Sequence, residues 1–383
     1  MTEPTFPRVT VIVPCRNEAR YIRACLDSIL ATAYPPDRLE VLVVDGQSSD
    51  GTANIVREYA AQHSLVRLLD NPRRVVPTAL NLGIQAASGE IIARMDAHVV
   101  YPPEYLPRLV QGLQEHHVDN IGGCMVTLPA DGTATAQAIA IALSHPFGVG
   151  NARFRIGAPA PLLVDTVPFG CYPREVFKRI GTFDEEMVRN QDDEFNNRLI
   201  QRGGRVMLLP DVVCYYYARG SYAQLGRMYY QYGAFKPLAA RKAGRIMTVR
   251  QLVPAAFITT LAASLIGAIF WPWSAVVAAA VAGMYALGIL GCALRVARTN
   301  GFRCAVAIAA VFPVIHTSYG FGFLRGLRDG LFGRRGRWRD PAAIPLSRCE
   351  SRSSRACIPP ARRLSSSGTC DRSSKRVWKS KSL

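Results

Sequence analysis

The sequence predicts an α/β fold, with a mostly parallel, Rossmann-like sheet followed by C-terminal transmembrane helices. Three observations carry this expectation. Short β-branched runs alternate with amphipathic stretches over the N-terminal part of the chain. Polar clusters sit where three of those runs end. From Leu252 to Leu324 the chain is dominated by Ala, Val, Ile, Leu, Phe and Gly. Strands and helices joined by short links imply parallel βαβ units.

The first element, residues 9–13, is an apolar, β-branched run that reads as a buried strand, and Pro14 is expected to stop it. Asn17 and Glu18 open a helical pattern through Tyr21, Ile22, Cys25, Leu26, Ile29 and Leu30. A second strand, 41–44, ends at Asp45 and runs into the turn Gly46-Gln47-Ser48-Ser49-Asp50-Gly51. A helix over 52–62, a strand over 66–69, a helix over 77–87 and a strand over 90–95 follow. Asp96-Ala97-His98 comes next. In an open parallel sheet, ligands bind beyond the carboxyl ends of the strands. Three polar clusters fall there: 16–18, 45–50 and 96–98. Further on, 121–126, 206–209 and 212–216 read as strands, and a helix is expected from Asp192 to Gln201. The segment 222–250 mixes tyrosines with Lys and Arg, as interfacial segments beside a membrane do.

Three apolar runs follow, 252–270, 275–294 and 302–324. The first two reach the roughly 20 residues that a bilayer span takes. Trp271-Pro272-Trp273 joins them, and Arg295, Arg298 and Arg303 after the second run fit a cytoplasmic loop. The third run holds Pro313 and His316 and reads either as a span or as a re-entrant, interfacial element.

The chain has 383 residues and a formal charge of +18. From Arg334 onward, 14 Lys or Arg face 3 acidic residues, so the tail carries most of the excess. A basic tail after a hydrophobic region reads as a membrane flank, and no nucleic acid is expected as a partner. Ten cysteines form no C-x-x-C pair, which argues against a zinc ribbon or redox motif and fits a reducing compartment. The N-terminus lacks a basic region followed by an apolar run, so the first 250 residues are expected to stay in the cytoplasm.

The run Val11-Ile12-Val13-Pro14-Cys15-Arg16-Asn17-Glu18, with Val43-Val44-Asp45-Gly46-Gln47-Ser48-Ser49-Asp50-Gly51-Thr52, resembles the inverting family 2 glycosyltransferases of GT-A fold. Arg94-Met95-Asp96-Ala97-His98 and Asn190-Gln191-Asp192-Asp193-Glu194 extend the resemblance, which covers residues 8–235. The membrane-tailed subset is similar to succinoglycan-type exopolysaccharide glucosyltransferases. The resemblance implies that Pro14, Asn17, Glu18, Asp45, Asp50 and Asp96 line the site of a nucleotide sugar. A carboxylate at a strand end, such as Asp45, can accept from base or ribose. The 48–52 turn is expected to offer backbone N–H groups to the ligand. Asp50 also fits a plain cap for the next helix.

Asp96 and His98, two residues apart, fall on one face of an extended segment. Carboxylate and imidazole suit Mn²⁺ or Mg²⁺, with diphosphate oxygens completing the shell. The family has Asp-x-Asp here, and this chain departs with Asp-Ala-His. Its Glu-Asp pair aligns with Gln191-Asp192, which makes Asp192 the expected base. Acidic residues in a first helical turn also serve the helix dipole, and Asp193 and Glu194 fit that role. No Gln-x-x-Arg-Trp motif is present, which argues for single-sugar addition.

The resemblance thus implies a GT-A catalytic domain (1–220), an amphipathic connector (221–250), a transmembrane region (251–330) and a basic disordered tail (331–383). The expected reaction moves sugar from a UDP-sugar, UDP-glucose first, to a lipid-linked glycan at the inner membrane. Two alternatives are a polyprenyl-phosphate glycosyltransferase and a non-catalytic nucleotide- or nucleic-acid-binding membrane protein.

Overall fold

The computed structural model describes residues 6–244 and 249–331. The basic tail lies outside the described residues. The chain opens with β1 (Val9–Cys15), α1 (Ile22–Leu30), β2 (Leu39–Asp45), α2 (Thr52–Gln62), β3 (Val66–Asp70), α3 (Val76–Ala86) and β4 (Ile91–Arg94). It continues through β5 (Val99–Val100), α4 (Tyr105–His116), β6 (Asn120–Leu128), α5 (Ala134–Ala142), α6 (Pro146–Val149) and α7 (Arg153–Ile156). Then come β7 (Leu162–Leu163), β8 (Cys171–Pro173), α8 (Glu175–Ile180), α9 (Gln191–Gln201) and β9 (Val206–Tyr217). Four helices complete the described chain: α10 (Tyr222–Lys242), α11 (Val253–Gly267), α12 (Pro272–Asn300) and α13 (Phe302–Leu331).

The strands form one sheet in the order β3-β2-β1-β4-β8-β6-β9-β5, with β7 on β9. The first four are parallel, as the alternation predicted. β8 then enters antiparallel between β4 and β6, so the second half is mixed. Val11, Val13, Val41 and Val43 are fully buried. Each such side chain contributes about 1.5–3 kcal/mol by leaving water.

Pro14 does not stop β1; it lies within the strand, opposite Val44. The Ile12 carbonyl accepts from Met95 N–H, so Ile12 and Pro14 face β4. Pairing with β4 ends at Ile12, so the missing N–H of Pro14 points past the ladder, where nothing needs it. The strands expected at 206–209 and 212–216 are one strand. Leu209 pairs with Gly123 and Val213 with Cys124, so residues 210–212 bulge out of an unbroken β9.

The C-terminal helices correct the expected spans. The first run forms only the 15 residues of α11, about 22 Å of helix, short of the roughly 30 Å of a bilayer core. Among the described residues, the helices long and apolar enough to cross a membrane are α12 and α13. α12 leaves its apolar side chains open, with Met284 67% and Leu287 68% exposed. α13 is half buried, because α10 packs along it. A Cβ added to Gly322 would lie 2.1 Å from the Tyr230 carbonyl oxygen, and one on Gly326 2.1 Å from that of Ala234. Only glycine lets the two backbones approach so closely. Ile308, Val311, Phe312 and Ile315 of α13 share one buried cluster with Val11 and Val43 of the sheet.

Candidate active site

The carboxyl ends of β1, β2 and β4 gather the predicted clusters along one edge. Two loops there are stitched together. Asn17 N–H donates to the Ser48 hydroxyl at 2.8 Å, and Ser49 N–H donates to the Asn17 side-chain oxygen at 2.8 Å. Glu18 N–H donates to the Thr52 hydroxyl at 2.8 Å, and Ala19 N–H to Asp50 at 3.0 Å. Asn17 and Gln47 hold left-handed backbones, φ 56° and 55°. Such strained residues persist where surrounding bonds over-determine them.

Three predicted residues therefore brace the loops. Asp45 is buried and accepts from Ser48 N–H at 2.9 Å and from the Ser48 hydroxyl at 2.5 Å. Asp50 accepts from Thr52 N–H and hydroxyl at the start of α2. Burial alone would raise the Asp50 carboxyl, but these donors outweigh it and hold it below the usual range. Three of the N–H groups that the 48–52 turn was expected to offer a ligand are already taken. Ser48 and Thr52 N–H have acceptors in local Asx-type turns, and Ser49 N–H donates across to Asn17 on the neighbouring loop. Pro14 is buried in β1.

The charged centre lies at the end of β4. Arg94 grips both oxygens of Asp96, Nε to Oδ1 at 2.8 Å and Nη2 to Oδ2 at 3.0 Å. Its Nη1 reaches Asp192 Oδ1 at 2.5 Å. One buried guanidinium thus joins the candidate donor edge to the candidate base. Burial raises the Asp192 carboxyl above its ordinary value, with Arg94 opposing and Asp96 adding. Sequence reasoning missed Arg94 as a site residue. Its signal was the spacing: Arg94 and Asp96 are two apart at a strand end.

Asp96 and His98 do not lie in extended chain as expected. Ala97 and His98 form a turn between β4 and β5, so strand alternation does not apply. His98 Nδ1 instead sits 3.3 Å from Glu18 Oε1, and its ring packs 5.2 Å from that of Tyr216. Tyr101 accepts the Asp96 N–H at 2.7 Å, which sets that turn. Among the described residues, no three His, Cys, Asp or Glu side chains converge as a cation cage. The donors present are hard carboxylate oxygens and one borderline imidazole, a set that fits Mn²⁺ better than Mg²⁺ when ligand oxygens supply the remaining positions. Asp96 retains lone pairs beyond the two that Arg94 takes.

Asp192 opens α9 after Asn190, whose backbone is left-handed at φ 59°. Each acid of that first turn has its own cation: Asp192 has Arg94, Asp193 has Lys236 and Glu194 has Arg198. α10 also holds the approach to α9. Arg189 Nε donates to Gln231 at 3.0 Å, and the Asn190 amide donates to the Tyr232 carbonyl at 2.9 Å.

The glycosyl transferase family 2 profile matches residues 10–181, which carries the β1, β2 and β4 ends. The chain is 30% identical over 324 residues to the succinoglycan biosynthesis protein ExoA of Rhizobium meliloti, covering 83% of this chain and 94% of that one. The chain belongs to glycosyl transferase family 2. This family 2 member is therefore a glycosyltransferase with the GT-A fold. It is also 25% identical over 330 residues to the dolichyl N-acetyl-alpha-D-glucosaminyl phosphate 3-beta-D-2,3-diacetamido-2,3-dideoxy-beta-D-glucuronosyltransferase of Methanococcus voltae, covering 84% of this chain and 98% of that one. Among solved structures, a mannosyltransferase from Pyrobaculum calidifontis in complex with GDP-Man and Mn²⁺ matches with TM-score 0.54 and 27% identity. It covers 85% of this chain and 88% of that one.

Proposed function

We propose that this glycosyltransferase moves a sugar, with inversion, from a nucleoside-diphosphate sugar to a lipid-linked glycan in exopolysaccharide or cell-envelope synthesis. The first donor to test is UDP-glucose. The observation that carries the reading is the Arg94 bridge, which brings Asp96 and Asp192 to one guanidinium.

Asp192 is the base. It takes the proton of the acceptor hydroxyl as that oxygen bonds to the anomeric carbon. The bond from that carbon to the diphosphate breaks, and the pair leaves with the nucleotide. Burial makes Asp192 a better proton acceptor than a solvated carboxylate. Asp96 and His98 would hold Mn²⁺ or Mg²⁺, which would offset the charge growing on the leaving diphosphate. Glu18 orients the His98 ring from its Nδ1 side. Asn17, Asp45 and Asp50 keep the nucleotide loops in shape. The relative that binds GDP-Man and Mn²⁺ supports both the donor class and the metal.

The exposed apolar side chains of α12, with Trp271 and Trp273 at its start, support a membrane anchor. In this reading the catalytic part faces the cytoplasm and receives a lipid-linked acceptor at the bilayer surface.

The test is sugar transfer to a lipid extract by membranes carrying the full chain, with UDP-glucose, UDP-galactose, UDP-N-acetylglucosamine or GDP-mannose. Transfer from one donor is expected, and Asp192→Asn should lower it by about 10²–10⁴ while donor binding persists. Near-normal turnover in that variant would remove Asp192 as the base. Full activity in chelator would remove the metal. A single sugar on a polyprenyl phosphate would move the assignment to a polyprenyl-phosphate transferase.

A further inference from the structure

The first turn of α9, which carries Asp192, has no side-chain cap. Its N-cap residue is Asn190, a type that ordinarily accepts a first-turn N–H. Here the Asn190 amide is spent elsewhere, donating to the Tyr232 carbonyl on α10 at 2.9 Å. Asn190 also holds a left-handed backbone, φ 59°, which persists only where neighbouring bonds over-determine it.

α10 supplies those bonds. Besides the Asn190 bond, Arg189 Nε donates to the Gln231 side-chain oxygen at 3.0 Å, and Lys236 Nζ donates to Asp193 Oδ2. The bonded residues bracket Asp192, two before it and one after. The Lys236 side chain keeps only 10% of its exposure, and a lysine so covered is held by its partner. Three positions before it, a Cβ on Gly233 would lie 2.0 Å from the Tyr319 carbonyl oxygen of α13, so α10 has little room to shift.

Asp192 and Asp193 are successive residues of one turn, about 100° apart around the axis of α9. Arg94, from β4, takes the first, and Lys236, from α10, takes the second. Two cations fixed on different elements thus set the rotation of that turn and the direction of the Asp192 carboxylate. Glu194 meets Arg198 of α9 itself, so that pair does not tie the turn to α10.

Resting on the transferase reading above, in which Asp192 is the base, we propose that Lys236 is a positioning residue for sugar transfer. Through Asp193 it holds the uncapped first turn of α9 so that Asp192 faces the acceptor hydroxyl. Proton transfer depends on distance and alignment, and a misplacement of about 1 Å can cost about a hundredfold in rate. Without Lys236, the half-buried Asp193 carboxylate loses its cation and is free to turn toward water or toward Arg94, carrying the turn with it.

The test is steady-state transfer by the full chain in nanodiscs, with the donor that wild type uses and a lipid extract as acceptor. Turnover and donor KM are read separately, well below the melting temperature of each variant. Lys236→Met is expected to lower kcat by about ten- to a hundredfold and to change donor KM by less than about threefold, because β1, β2 and β4 hold the donor edge. Asp193→Asn/Lys236→Met leaves no carboxylate unpaired, so it should recover most of the turnover that the single variant loses. Added to Asp192→Asn, Lys236→Met should slow the residual rate little further, since the group it positions is gone. A loss of rate that only follows the folded fraction, a double variant as slow as Lys236→Met, or the full loss repeated in the Asp192→Asn background would overturn the proposal. Normal turnover by Asp192→Asn, or no transfer by wild type, would sink the transferase reading itself and this proposal with it.

Discussion

Replacing Arg94 with Met tests the centre of the site. The side chain keeps its length and apolar stem but loses the guanidinium, with its two bonds to Asp96 and one to Asp192. Breaking a buried ion pair by removing one partner costs about 3–5 kcal/mol. Asp96 and Asp192 keep 17% and 27% of their side-chain exposure, so solvent screens part of that cost and about 3 kcal/mol is expected. The sign with pH follows from Asp192. Its native carboxyl is raised by burial, and Arg94 opposes the rise. Without Arg94 it rises further. Between the unfolded value of about 3.9 and that raised value, the native state holds the extra proton. The contribution of Asp192 to stability is therefore fullest below the unfolded value and falls as pH rises to the native one. The variant should lose most stability near neutral pH and approach wild type in acid. Because the base must be unprotonated to act, the acid limb of the rate profile should move to higher pH. Thermal melting of the purified chain across pH, with transfer rates on the same samples, measures both. Unchanged melting and an unmoved acid limb would refute the bridge, and Arg94→Lys should fall between the two.

Gly322→Leu should separate α10 from α13, since even a Cβ would meet the Tyr230 carbonyl oxygen at 2.1 Å. A lowered melting temperature together with lost transfer is expected, because α10 also holds the approach to α9. A variant that melts and works as wild type would show the contact to be unimportant. Cys124, pushed up to about 11 by burial, and the more deeply buried Cys171 should resist a thiol reagent at pH 8 until the chain unfolds; rapid labelling of the native chain would contradict their burial. Burial alone would raise the Glu40 carboxyl, but bonds from Ser88, Thr10 and Arg67 leave it lowered. Its stabilisation is present above the unfolded value of about 4.3 and is lost as pH falls through the native one. Glu40→Gln should therefore destabilise the chain at pH 7 and much less near pH 3, measured by melting; an equal loss at both would refute the charge argument.

The sequence by itself determined the parallel half of the sheet and the edge where the polar clusters gather. Those follow from local pattern: β-branched runs, short links, and polar residues at the ends of buried strands. The places of Asp96, beyond a strand end, and Asp192, in the first turn of a helix, were legible from the motifs. What faces them was not. Arg94 reads alone as one more cation, and only the fold brings α9 to the end of β4 so that it meets two carboxylates. The roles within the 45–52 turn also needed three dimensions, since Asp45, Asn17 and Asp50 find their partners across two loops. The mixed half of the sheet rests on β8 arriving from a long excursion, which periodicity does not encode. The first two apolar C-terminal runs looked alike in composition, and the third differed by Pro313 and His316. In the fold α11 is short, α12 is left bare, and α13 is pressed against α10 through glycines whose missing side chains matter only when another backbone lies 2 Å beyond them.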